Sequence, residues 1–197
     1  MNGADIIDAA REGRAVLAPA ADLDWTVVVP DLDWTVAHTV AHAAEGCLWY
    51  ATDFSAGGEE LNTMELRVRL ESPPLELLAT MEAFAAVLAR VVDGAPPGAL
   101  GWHPMGMADG SGFAAMACDE LLIHSDDAAR GLGLAFVPAS ELCRRTLARL
   151  FPWAPTDVDP WDGLRWANGR MALPGRARLD QWHWHCAPLD DPLDYSP

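Results

Sequence analysis

Residues 113–133, FAAMACDELLIHSDDAARGLG, put acids and a histidine on a segment that otherwise has to be buried. Glu120, His124 and Asp127 stand at i, i+4 and i+7, so on a helix they form one line along one face. Leu121 and Ala128 border that line on one side, Met116 and Ile123 on the other. A carboxylate and an imidazole set in an apolar flank are costly unless they pair or bind a metal. One helix that supplies Glu and His a turn apart offers two ligands to a single ion, and helical bundles complete such sites from facing helices. A plain Glu–His hydrogen bond satisfies the same spacing, so the pattern alone leaves both readings open.

The rest of the chain supplies helices to face it. Residues 3–17 carry Ile6, Ile7, Ala10 and Leu17 at helical intervals. From about Thr35 to Phe54, Val36, Val40, Ala43, Cys47, Ala51 and Phe54 make one apolar stripe, with Asp33 or Thr35 as N-cap and Gly57-Gly58 as the stop. Ser72-Pro73-Pro74 opens a third helix to about Asp93, with Leu75, Leu78, Phe84, Leu88 and Val91 inward. A Gly/Pro-rich loop, APPGALGWHPMGMADGSG, leads to the helix of the opening paragraph, about Phe113 to Arg130. A fifth helix covers about Pro138 to Phe151. Residues 59–71 alternate too weakly to assign.

The second helix holds TVAHTVAH, which places His38 and His42 one turn apart. His38, His42, Glu45 and Trp49 share the side away from the apolar stripe. A histidine from this face would complete a three-ligand site with an open coordination position. Just before it, DLDWTV occurs twice, nine residues apart. That interval matches no repeat architecture, and Trp25 and Trp34 are expected to pack around the start of the helix.

Beyond Phe151 the character changes. PWAPTDVDPWDG reads as loop, and LRWANGRMAL alternates around Asn-Gly, a hairpin signal. RARLDQWHWHCAP reads as a further extended segment, with Trp182 and Trp184 packed on the bundle and His183 and His185 exposed. The expected architecture is mainly α: an antiparallel four-helix bundle over residues 1–151 and a short C-terminal β-hairpin appendage over 152–197.

Composition excludes several classes of function. The net charge of −16 argues against nucleic acid, which needs a basic surface. No apolar run approaches the ~20 residues that span a bilayer, and the acidic N-terminus has no signal-peptide character, so the expected compartment is the cytoplasm. Cys47, Cys118, Cys143 and Cys186 are scattered, as small buried hydrophobes in a reducing compartment would be. All thirteen basic residues are Arg, so a carboxylate substrate would need a local arginine, with Arg170, Arg176 and Arg178 in the tail as candidates.

Two segments, LDWTVAHTVAHAAEGCLWYATDF and HPMGMADGSGFAAMACDELLIHSDDAARGLG, resemble the DinB-like metalloprotein superfamily. Within it, the chain is most similar to the mycothiol-dependent maleylpyruvate isomerase N-terminal domain family. That family's pattern is a Trp-Thr-Val helix start with a ligand His eight residues after the Trp, then a Glu-x-x-x-His-x-x-Asp helix ending near Leu-Gly. Counting from Trp34 lands on His42 rather than His38, and the second pattern falls on Glu120, His124 and Asp127. The resemblance, over roughly residues 1–150, implies a DinB-like four-helix bundle holding a divalent metal, zinc or else nickel, on His42, Glu120 and His124. It also implies mycothiol or a similar low-molecular-weight thiol as cosubstrate. The isomerases carry a substantial C-terminal domain, and the short tail here departs from that pattern.

The expected function is that of a metal-dependent thiol transferase or isomerase acting on a small-molecule electrophile, the metal activating the thiol as thiolate. The alternatives are a metal-water hydrolase, with Glu45 as the conceivable base, and a non-catalytic metal-stabilised binding or stress-response protein. Around the ligands, His38 is read as solvated or as a neighbour of the site. Asp127 either holds a ligand imidazole or pairs with Arg130, and Asp126 is read as solvated. Trp49 and His103 are candidate pocket residues, and a homodimer is compatible with the apolar faces of such bundles.

Overall fold

A computed structural model describes residues 1–61 and 63–191. Among the described residues the chain is mainly helical, with one small antiparallel sheet. Helices α1 (Gly3–Leu17), α2 (Val36–Ala56), α3 (Pro74–Gly94) and α4 (Gly110–Gly131) form the bundle; α1 and α2 each pack against both α3 and α4. Strands β1 (Leu100–Gly101) and β2 (Ala108–Asp109) pair just before α4. Helices α5 (Ser140–Leu150) and α6 (Pro160–Ala167) pack on each other, and α5 also lies on α4. No helix among the described residues is long and apolar enough to cross a membrane.

Local chemistry sets the helix starts. Asn2 caps α1 and exchanges hydrogen bonds reciprocally with Asp5. Thr35, not Asp33, caps α2, its Oγ1 accepting the His38 N–H at 3.2 Å. Asp109 caps α4 by accepting the Gly112 N–H at 2.6 Å, and the same carboxylate pairs with Arg149 at 2.8 Å. In α3 the inward stripe is Leu77, Leu78, Met81, Ala85 and Leu88. Leu75 is 49% exposed rather than inward, because it lies about 110° from the middle of that stripe.

The short hairpin of the fold lies at residues 100–109, not in the tail. LRWANGRMAL forms no hairpin, and its first residues belong to α6. Asp159 accepts the Trp161 and Asp162 N–H groups, Pro160 sits in the first turn, and Trp161 and Leu164 are buried. Asn168 and Gly169 then end that helix, Gly169 at φ 63° with its N–H donated to the Trp166 carbonyl. An Asn-Gly pair serves a helix stop as readily as a hairpin turn, since both need a left-handed residue. The described tail has a single antiparallel bridge, Leu173 with Arg176.

The Trp-in, His-out pattern of residues 182–185 does not hold either. Trp184 and His185 are 4% and 3% exposed. Without a strand ladder nothing enforces alternation. The segment is instead clamped between helices: the His185 N–H donates to the Leu150 carbonyl at 2.8 Å, and the buried Arg149 guanidinium donates to the carbonyls of His185, Cys186 and Ala187.

Candidate metal centre

The packing of α2 on α4 brings His42 opposite Glu120 and His124. His124 Nε2 lies 2.9 Å from Glu120 Oε2, and His42 Nε2 lies 3.4 Å from the same oxygen. The three atoms fall within 4.8 Å of one another, a group that could hold a metal ion. Glu120 Oε2 is buried with no aligned hydrogen-bond donor, although two ring nitrogens crowd it. Two imidazoles and a carboxylate converging from two helices suit zinc or nickel, which take nitrogen and oxygen ligands. The residues present therefore fit such an ion.

The surroundings hold these three side chains in place. The Tyr50 hydroxyl donates to Glu120 Oε1 at 3.3 Å. Asp127 Oδ2 stands 3.3 Å from His124 Nδ1, and Asp127 is fully buried while pairing with both Arg130 and Arg170 at 2.9 Å. The two roles open for Asp127 in the sequence are thus filled together. Trp34 stacks at 4.6 Å from the His42 ring, 4.7 Å from His38 and 5.9 Å from His124, so it roofs the site rather than merely flanking the helix start. His38 lies outside the cluster.

The charges in this group follow from burial and contact. Burial opposes the Glu120 charge, but His124 and His42 outweigh it and hold the carboxyl far below its usual range. Burial likewise opposes a charged His124, yet Asp127 and Glu120 push its pKa up to about 9. Asp127 is drawn down to about 2 against its burial by His124 and Arg170.

A cavity of about 170 Å³ adjoins the cluster, lined from α4 by Asp119 and from the tail by Asn168, Arg170, Trp182 and Trp184. Asp119 is buried and pushed up to about 7 by that burial, against the donors Asn168 Nδ2 at 2.8 Å and Trp184 Nε1 at 2.9 Å. Tyr50, Asp119 and Asn168 escaped sequence reasoning. Only Asp119 left a signal, as a second acid in the interior of an apolar helix.

Other candidates fall elsewhere. Glu45 accepts the Val68 N–H at 2.6 Å and so ties Val68 to α2. Trp49 and His103 line a neighbouring cavity with Tyr50. Asp126 is 4% exposed rather than solvated, with Arg130 Nε 3.8 Å from its carboxylate. Of the tail arginines, Arg170 alone reaches the cavity; Arg176 lies over the Trp166 ring, and Arg178 donates to the Gly169 carbonyl. All four cysteines are buried.

No curated protein and no solved structure matches the chain. Residues 7–129, well over half of it, match the family model of the mycothiol maleylpyruvate isomerase N-terminal domain. That span runs from α1 through nearly all of α4 and contains His42, Glu120 and His124, and the chain belongs to this family.

Proposed function

We propose that His42, Glu120 and His124 hold one divalent ion, zinc before nickel, and that the protein uses a mycothiol-type thiol to transfer sulfur to, or isomerise, a small electrophile. The observation that carries this reading is the convergence of the two Nε2 atoms and Glu120 Oε2 beside a cavity. A divalent ion bound there supplies Lewis acidity that lowers the pKa of a thiol presented to it.

The chain's own residues prepare the reaction space. Asp127 Oδ2 stands beside His124 Nδ1 and Tyr50 holds Glu120 through Oε1, leaving the opposite atoms to converge. Trp34, Trp182 and Trp184 supply apolar walls that exclude water. The nucleophile in this reading is the external thiol: burial pushes the thiols of Cys47, Cys118 and Cys143 up and away from thiolate, and Cys186 is buried as well. With an ion in place, the thiol would add as thiolate to an activated double bond, the electron pair passing to the substrate's electron-withdrawing group. Return of the proton given up by the thiol would then leave a thioether, whereas bond rotation and expulsion of the same thiolate would leave the isomerised double bond.

Glu45, the base that a hydrolase reading would use, accepts the Val68 N–H and does not line the cavity beside the ligands. A cavity beside the ligands also favours a reacting site over a purely structural ion. Elemental mass spectrometry of the purified protein, followed by calorimetric titration with mycothiol, tests the reading. Near-stoichiometric metal, with thiol binding that disappears on chelation, supports it. Metal without any thiol affinity leaves a metal-stabilised scaffold, and the absence of metal after reconstitution sinks both.

A further inference from the structure

A second cavity, of about 410 Å³, opens beside the candidate metal centre. Its walls are aromatic: Trp49 and Tyr50 from α2, and Trp102 from the turn after β1, with His103 next to them. Two carboxylates also line it, Asp53 from the last turns of α2 and Glu60 from the connection that follows, and no arginine does. Asp53 is 8% exposed, and neither a hydrogen bond nor a salt bridge holds its carboxylate among the described residues. Burial pushes its carboxyl up, and the Glu60 charge adds to that push. The carbonyl end of α2, where Asp53 sits, adds further negative potential.

His103 does not supply the missing positive charge. Burial pulls its pKa down to about 4 against the pull of Glu120, and its Nδ1 faces the Met105 N–H at 3.2 Å. At neutral pH the ring is uncharged. An anionic ligand would be repelled by Asp53 and Glu60, and a bare divalent ion takes a shell of oxygens rather than aromatic walls. A desolvated carboxylate among ring faces is the combination that recognises an organic ammonium group. The overall charge of −16 draws cations in over a longer range.

We propose that this cavity binds a small organic cation, a primary or quaternary ammonium, with Asp53 as its counter-charge and Trp49, Tyr50 and Trp102 as its aromatic walls. Tyr50 links the two sites, since its hydroxyl donates to Glu120 while its ring meets His103 edge-on at 5.5 Å. None of the residues that line this cavity belongs to the group His42, Glu120 and His124.

Tryptophan fluorescence titrations with choline and ethanolamine test it, with 3,3-dimethyl-1-butanol as the uncharged isostere of choline, all at fixed ionic strength. The expected result is a saturable change with at least one ammonium probe, weaker by about tenfold or more with the alcohol. Asp53→Asn should weaken ammonium binding by a similar factor while leaving metal content and the thermal melt unchanged. Trp102→Ala, in a loop outside the bundle, gives a second variant with the same expectation. An equal response to the alcohol, no saturable response to either amine, or binding that survives both substitutions overturns the proposal.

Discussion

His38 and His42 differ by one helical turn, and that turn decides which of them meets α4. His42 faces Glu120, whereas His38 stacks on Trp34 outside the cluster. We expect His42→Ala and Glu120→Ala each to abolish stoichiometric metal and His38→Ala to retain it, read by elemental mass spectrometry. His124 shapes the pH dependence. Its folded-state pKa lies above the ordinary value of about 6.5, so in the metal-free protein the pairing stabilises below that value and is lost as pH rises through about 9. Metal ligation needs the neutral ring, so metal uptake at pH 7 releases a proton and affinity climbs up to about pH 9. Calorimetry in buffers of different ionisation enthalpy measures that proton. Asp127 has the opposite sign: its depressed pKa stabilises the fold above about pH 4, a contribution lost as pH falls through about 2. Asp127→Ala leaves Arg130 and Arg170 without their shared carboxylate and should cost about 3 kcal/mol or more in urea unfolding.

At the scale of elements, the site is a product of α2 lying on α4, with the tail laid over the open end. The tail is held by few groups. Arg149 of α5 binds three of its carbonyls, and Asp119 of α4 accepts from Trp184 and Asn168. Gly112 makes this approach feasible, because a Cβ there would stand 2.2 Å from the Cys186 carbonyl oxygen. Gly112→Ala should therefore push the tail off the bundle at about 1–3 kcal/mol and speed tryptic cleavage after Arg176 and Arg178, read by limited proteolysis. The alternation of LRWANGRMAL misled at this same scale. Period-two and helical spacing cannot be told apart over so few residues, and the Asp159-Pro160 start that settles the matter lies upstream.

At the scale of the whole molecule, burial governs the chain's own thiols. All four cysteines lie inside, with Cys143 pushed up to about 12 chiefly by burial. In native protein we expect no fast reaction with an aromatic disulfide reagent, and in denaturant we expect four equivalents to react. Thiol-dependent turnover should likewise survive Cys→Ala substitution at each position. The strongly negative surface is legible in composition. The pocket lined by Asp53 is not: Trp49 and Asp53 stand one turn apart on α2, but Glu60 and Trp102 come from segments outside that helix.

The sequence by itself determined whatever repeats at helical intervals or sits at a helix end. It contains the five helices through residue 150, the line of Glu120, His124 and Asp127, and the turn that separates His42 from His38. Those depend on contacts a few residues apart, which spacing reports directly. Only the tertiary structure decided that Trp34 roofs the histidines, that Asp119 is satisfied from the tail, and that Arg170 closes on Asp127 from 43 residues away. A buried charge announces in the sequence that it needs a partner. Which partner it finds depends on how helices cross and where a loop returns, and those are decided by packing over the whole chain.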